Sequence, residues 1–384
     1  MTRIAYVSTY VPQKCGLATY THHLRRAVQE ATGQEGNDRV VVLTNDTNAP
    51  ARDPLLWPLH RDHADEYRQM ALRINQSDLD VVSLQHEFGI FGGEAGAHIL
   101  QFIRYLNKPL VTTFHTVFER PQPPYFPIQK EIAEKSSKII VMNRKAITYL
   151  HEAFGVPVEK ICFIPHGTPD PAPDKRAEWR KELDWEQRKV LMTFGLLSRG
   201  KGLELVIDIL PEIVKQVPHV LYAIVGQTHP EVKKREGERY RQELREQIRR
   251  SGLDEHVVMI DRYLEEADLI KHLTACDIYI TPYPGLQQIT SGTLAYAVGL
   301  GRPVLSTPYA YATDLLADYP QLLLRSEDRA AWSETIVSLL TDDRKLAEWS
   351  EKIMEIGKTM HWPEIGRQYA AVFAGVSQLA GVHR

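Results

Sequence analysis

The sequence predicts an α/β protein of two doubly wound domains, each a parallel sheet covered by helices on both faces. Three observations predict it. Short Val- and Ile-rich runs alternate with helix-length segments in both halves of the chain, the pattern of buried parallel strands in βα units. At 384 residues the chain exceeds what one hydrophobic core usually supports. Between the halves, Pro165 to Lys175 carries four prolines and a glycine ahead of the helix-prone Ala177 to Glu182, which reads as a linker.

In the first half the runs are Ile4 to Ser8, Val40 to Thr44, Val81 to Gln85, Leu110 to Phe114, Ile139 to Met142 and Ile161 to Pro165. In the second they are Val190 to Phe194, Leu221 to Val225, Val257 to Ile260, Ile278 to Pro282, Pro303 to Thr307 and Gln321 to Leu324. Ligands of open parallel sheets bind beyond the carboxyl ends of the strands. The residues that follow strand ends are Gly16, His86, Glu87 and His115 in the first half, and Lys201, Tyr263 and Gln288 to Gly292 in the second. A ligand is therefore expected in a cleft, with the two domains facing each other across it.

Composition removes several classes. A formal charge of −3, from 46 Lys+Arg against 49 Asp+Glu, gives no polyanion-binding surface, so no nucleic-acid partner is expected. Lys233 to Arg250 mixes both signs, with Tyr240, Leu244 and Ile248 on one stripe and Gly252 as a stop, and reads as a solvated amphipathic helix. Cys15, Cys162 and Cys276 are odd in number and far apart, which fits neither a disulfide framework nor a zinc knuckle and suits a reducing compartment. No apolar run approaches the ~18 residues of a membrane span. A cytoplasmic protein is expected, and peripheral membrane contact stays open.

Two turns carry the strongest chemical signal: Phe194 to Gly202 and Gln288 to Tyr296. Each passes from a strand pattern to a helical one and offers small residues with backbone amides, as a diphosphate requires at a helix N-terminus. Thr290-Ser291-Gly292 on its own reads first as a plain N-cap, and Lys201 on its own as a solvated lysine. Together they point to a nucleotide diphosphate. His115 after Leu110 to Phe114, with His86 and Glu87 after Val81 to Gln85, would set two imidazoles and a carboxylate at one rim, suited to holding hydroxyls and moving protons. Histidines bonded to backbone carbonyls would look the same. His86-Glu87 lacks the second histidine of a zinc protease, and Asp78-Leu79-Asp80 precedes its strand, so no metal site is expected. Lys14 to Tyr20 lacks the triple glycine of a dinucleotide fold, which argues against a nicotinamide dehydrogenase. Phe118 to Pro127, rich in proline and aromatic residues, reads as an ordered loop that either covers an acceptor or plugs the domain edge.

These residues resemble the retaining glycosyltransferases of family 4, which have the GT-B architecture. The likeness is carried by Pro12 to Tyr20, by His115 after Thr112-Thr113-Phe114, by Pro165-His166-Gly167, by Gly195 to Gly202, and by Gln288 to Thr307. Thr290 to Ala297, with Gly301-Arg302-Pro303-Val304 and Ser306 to Tyr309, is most similar to a mannosyltransferase-like branch. The resemblance implies an acceptor-side domain over 1–172, a nucleotide-sugar domain over 173–355, and a terminal helix within 356–384 crossing back to the first domain. It implies transfer of a hexose, mannose from GDP-mannose, to a hydroxyl of a carbohydrate or glycan acceptor with retention of configuration. No metal and no cofactor beyond the nucleotide sugar are implied.

By the same resemblance His115 and Gln288 are catalytic, and His86 and Glu87 take the acceptor. Gly16, Arg199, Lys201, Tyr263, Leu264, Thr290, Ser291, Gly292 and Tyr296 hold the donor, with Arg262 to Leu264 at the base. The chain departs from the family where two glutamates are usual, having Gln288 and Tyr296, and where an arginine is usual, having Leu196. Gln288 can still hydrogen-bond sugar hydroxyls, while Tyr296 leaves the ribose contact open. A sugar phosphorylase, a sugar-nucleotide epimerase, or a catalytically silent nucleotide-sugar-binding subunit would fit the same pattern.

Overall fold

The computed structural model describes residues 2–45 and 53–382. The chain divides into two compact units, Met1–Gly167 with Trp362–Arg384, and Thr168–His361. The first unit holds a seven-stranded parallel sheet of β1 (Ile4–Ser8), β2 (Arg39–Thr44), β3 (Leu56–His60), β4 (Val81–His86), β5 (Leu110–Phe114), β6 (Lys138–Val141) and β7 (Ile161–Phe163), in the order β3-β2-β1-β4-β5-β6-β7. The second holds β8 (Lys189–Phe194), β9 (Val220–Val225), β10 (Val257–Ile260), β11 (Ile278–Thr281) and β12 (Val304–Ser306), in the order β10-β9-β8-β11-β12 and parallel throughout. Both orders reverse direction at the first strand of the unit, the doubly wound arrangement. Central strands β1, β4, β5 and β9 are buried at every position, which is why β1 and β9 read as near-continuous apolar runs, while β4 and β5 bury Ser83, Gln85, His86, Thr112 and Thr113 among their apolar residues.

One strand is unexpected, and two expected elements differ. The strand β3 contains Pro58, which argues against a strand by sequence; here it is an edge strand paired only with β2, where the missing N–H breaks no second ladder. Gln321 to Leu324 is not a full strand. It forms a short 3₁₀ turn, Pro320–Leu322, followed by a single bridge from Leu323 to Ser306. The expected helix over Lys233 to Arg250 is two, Pro230–Glu236 and Arg239–Arg250, broken at Gly237 with φ +63°. Its buried stripe is Tyr240, Arg241, Leu244 and Ile248, so an arginine joins the predicted apolar residues.

Thr168 donates its amide to the Met360 carbonyl at 2.8 Å and bridges to His361. That pairing places residues 168–172 and 356–361 in the second unit, where the sequence divides the chain at 172 and 355. The terminal helix Trp362–Val382 lies on the helix Gly16–Thr32 within the first unit. Its buried stripe is Trp362, Ile365, Tyr369, Phe373 and Val376. Gly366 allows the close approach, since a Cβ there would lie 2.3 Å from the Ala27 carbonyl oxygen. The Tyr369 hydroxyl contacts those of Tyr20 and Thr113, each at 3.0 Å. Among the described residues no helix is long and apolar enough to cross a membrane.

Candidate functional site

In the second unit the chain leaves β8 at Gly195, with φ +133°; a Cβ there would stand 3.3 Å from Lys201 Nζ and 3.4 Å from Thr293 Cγ2. The 3₁₀ turn Arg199–Lys201 ends at Gly202, φ +60°, where a Cβ would collide with the Pro282 carbonyl oxygen at 2.2 Å. This close packing sets Lys201 beside the end of β11. Its Nζ donates to Tyr283 Oη at 2.9 Å and lies 4.4 Å from the centre of that ring. Tyr283 Oη contacts Thr293 Oγ1 at 2.8 Å, and Thr293 Oγ1 contacts Ser291 Oγ at 3.2 Å.

Ser291 is also the N-cap of the helix Gly292–Gly299, accepting from the Leu294 amide at 3.3 Å. Capping alone therefore accounts for Ser291. It leaves the amides of Gly292 and Thr293, which have no acceptor on the chain among the described residues. Nor does any carboxylate among them pair with Lys201. An ammonium without a carboxylate partner near two helix-terminal amides that donate to no chain atom is the chemistry that suits an anion.

Other expected donor residues lie differently. Arg199 is turned away from Lys201: it pairs with Glu243 at 2.7 Å, lies 3.8 Å from Glu236 and sits over the Tyr240 ring. It is held by two helices of its own unit and does not replace the arginine that Leu196 lacks. Gln288 is exposed, its side-chain amide donating to the Thr290 carbonyl at 2.9 Å, and Thr290 itself is half-buried. Tyr263 is half-buried and Leu264 buried, in the segment leading from β10 into the helix Glu266–Ala275. Tyr296 is buried and donates to Glu266 Oε1 at 3.1 Å. The carboxylate of Glu266 thus stands at hydrogen-bond distance from Tyr296. Neither Tyr283 nor Glu266 is legible in the sequence as a site residue, because each reaches its partner across a different strand-to-helix connection.

In the first unit, His115 follows β5 and donates its backbone amide to the His86 carbonyl at 3.0 Å. Its Nε2 lies 2.9 Å from Gln85 Oε1, while Gln85 Nε2 faces Ser83 and Thr113 hydroxyls. Gln85 thus offers an acceptor, so Nε2 carries the proton and Nδ1 the lone pair. Burial, with smaller contributions from His166 and His86, lowers the His115 pKa to about 3. The ring is neutral and, at 7 % exposure, mostly buried against Tyr20, not a side chain standing open on a wall. His166 is likewise held neutral by burial, near 4.

His86 is fully buried, stacked on Phe91 and edged by Phe88 and Phe114, with neither ring nitrogen bonded. Its place is the core, so it presents no atom to an acceptor. Glu87 is half-buried; its carboxylate accepts from the Phe88 amide at 2.9 Å and from the Thr116 hydroxyl at 2.6 Å. Burial raises its pKa against those two bonds. Phe118 and Tyr125 pack on Phe88 with centroids 5.7 and 4.9 Å away, and Tyr125 already begins the helix Tyr125–Lys135. Gly16 is exposed at the start of its helix, capped by Cys15 Sγ, and a Cβ there would meet nothing.

Comparison with known proteins gives one direction. The family model described as Glycosyltransferase Family 4 matches residues 15–170, and that described as Glycosyl transferases group 1 matches residues 188–342. A GDP-mannose:glycolipid 4-beta-D-mannosyltransferase of Xanthomonas campestris pv. campestris is 30% identical over 129 residues, 33% of this chain and 32% of that protein. A GDP-mannose-dependent alpha-(1-6)-phosphatidylinositol monomannoside mannosyltransferase of Mycolicibacterium smegmatis is 27% identical over 157 residues, 40% of this chain and 38% of that protein. The matching stretches thus span about a third of these curated relatives. Among solved structures, Anabaena HepE in complex with UDP superposes with a TM-score of 0.76 at 16% identity, over 97% of this chain and 100% of that one. Sucrose-phosphate synthase from Thermosynechococcus elongatus gives 0.76 at 17% identity over 100% of both chains.

Proposed function

The chain belongs to the family 4 glycosyltransferases and has their GT-B fold, and from that premise we propose that it transfers a hexose, mannose from GDP-mannose, to a carbohydrate hydroxyl with retention of configuration. The observation that carries this reading is the grouping of Lys201 Nζ, held by Tyr283, with the amides of Gly292 and Thr293, which donate to no chain atom among the described residues. As the bond to the sugar breaks, negative charge grows on the leaving diphosphate. Donors already in position for it lower the barrier without reorganising. The proposed transfer needs no metal, since an ammonium and a helix N-terminus supply the positive end.

His115, neutral with its Nε2 proton committed to Gln85, brings no charge against a sugar gaining positive character at its anomeric carbon. Its Nδ1 lone pair can accept from a donor-sugar hydroxyl. Gln288 would hold sugar hydroxyls by turning its amide from the Thr290 carbonyl. Glu266 with Tyr296 would take the ribose contact, and Glu87 the acceptor. Mannose and GDP are supported by the printed activities of the two mannosyltransferase relatives; HepE was solved with UDP, which keeps UDP-sugars in the test.

The test is product analysis with GDP-mannose, UDP-glucose and a panel of glycan acceptors, with and without EDTA. Release of GDP with a new α-mannoside, unaffected by EDTA, supports the proposal; sugar 1-phosphate formed with inorganic phosphate would show phosphorolysis instead. One observation favours a second reading, a subunit that binds nucleotide sugar without turnover: Gln288 and Tyr296 are both engaged with protein partners, Thr290 and Glu266. Tight GDP-mannose binding with no product from any acceptor would favour it.

A further inference from the structure

At the outer edge of the first unit's sheet, His60, His63 and Glu66 converge. His60 is the last residue of β3, His63 stands directly before the helix Ala64–Gln76, and Glu66 lies in that helix's first turn. Glu66 Oε1 is 2.9 Å from His60 Nδ1 and 3.0 Å from His63 Nδ1. Glu66 Oε2 is 3.0 Å from the His60 backbone amide. The three ligand atoms lie within 4.8 Å of one another. None of these residues contributes to the Lys201 grouping or to the His115 cluster, and the His-x-x-His-x-x-Glu spacing carries no signal in the sequence because the strand-to-helix turn creates the convergence.

We propose that His60, His63 and Glu66 bind one zinc-class divalent ion that clasps the end of the edge strand β3 to the helix behind it. Two imidazoles and a carboxylate are a donor set that zinc takes, with water completing four-coordination. The nitrogen-to-oxygen separations are close to the roughly 3.3 Å edge of a tetrahedron built on bonds of about 2.0–2.1 Å, so small side-chain shifts suffice. The carboxylate is oriented by the His60 amide, the kind of outer support that metal ligands generally have. Access is open, His63 being 59% exposed. Hard cations such as Mg²⁺ and Ca²⁺ favour oxygen ligands and are not suited to the pair of imidazoles. The clasp matters at this place because β3 has a sheet neighbour on one side only.

The test uses the untagged full chain, stripped with chelator, dialysed, and titrated with Zn²⁺ alone or Mg²⁺ alone. One equivalent of zinc should bind and raise the melting temperature by mass action, with no response to magnesium. His63→Ala, at an exposed position, should melt as the metal-free wild type does and lose more zinc affinity than the about 10- to 100-fold that removing an outer-shell partner costs. His60→Ala should lose it similarly. Zinc stoichiometry and affinity unchanged in both variants would place the ion elsewhere and overturn the proposal, as would wild-type protein that takes up no zinc.

Discussion

Lys201 Nζ donates to the Tyr283 hydroxyl at 2.9 Å, and the same ring lies under the ammonium at 4.4 Å. The tyrosine, only 1% exposed, is itself held by Thr293 at the start of the helix Gly292–Gly299. One buried ring therefore links the cation of one turn to the Thr293 hydroxyl of the other and fixes where a long, flexible side chain ends.

Lys201→Ala is expected to weaken binding of a nucleoside diphosphate by about 1.5–3 kcal/mol, the scale of a hydrogen bond to a charged group, and to leave nucleoside affinity unchanged. Tyr283→Phe keeps the ring under the ammonium but removes the hydroxyl, and should cost about 0.5–1.5 kcal/mol at the same ligand. Calorimetric titration with GDP and guanosine measures both. Equal losses for the two ligands would take Lys201 out of the phosphate site.

His115→Ala should lower turnover by roughly 10² or more, with nucleotide affinity within a few fold. Because His115 is mostly buried and bonded to Gln85, the melting temperature should fall as well, by the equivalent of about 1–3 kcal/mol for the stranded partner. The quantity that decides is specific activity of the folded fraction. Normal specific activity there would make His115 purely structural.

The buried imidazoles set an acid limit on stability. Burial lowers the pKa of His86 and His115 from 6.5 to about 3, and that of His166 to about 4. The unfolded chain therefore binds protons at these sites below pH ~6.5 that the folded chain refuses, so their contribution is whole above that pH and declines as pH falls toward about 4 for His166 and about 3 for His86 and His115. His86→Leu removes one of the three, together with two unbonded buried nitrogens. Urea unfolding at a series of pH values should show the acid limb shallower by about 1.4 kcal/mol per pH unit, with no loss of stability at pH 7. An unchanged acid limb would mean that His86 finds a proton partner in the folded state.

Deleting the residues after Met360 should unfold the first unit. The terminal helix supplies Trp362, Ile365, Tyr369 and Phe373 to the core that holds Tyr6, Tyr20 and Leu24. Tyr369→Phe, which breaks only the hydroxyl contacts to Tyr20 and Thr113, should cost about 1 kcal/mol. A truncated chain with the same melting curve as the whole protein would contradict this account of the helix.

What the sequence by itself determined is whatever a few neighbouring residues decide: eleven of the strands, from short apolar runs; the Ser291 cap; the glycine-bounded turn of Lys201; and the glycosyltransferase family. Periodicity, capping and turn chemistry act over one to a few residues, so they can be read from a chain not yet folded. Only the tertiary structure decided that Tyr283 lies under Lys201, that Tyr296 meets a carboxylate on another helix, that Arg199 turns to Glu243, and that His86 is core. It also decided that a strand containing Pro58 can stand at a sheet edge. Each of these depends on partners tens of residues away, brought together by burial of the strands and helices between them, and a side chain's charge, exposure and hydrogen bonds are set by those partners, not by its neighbours in the chain.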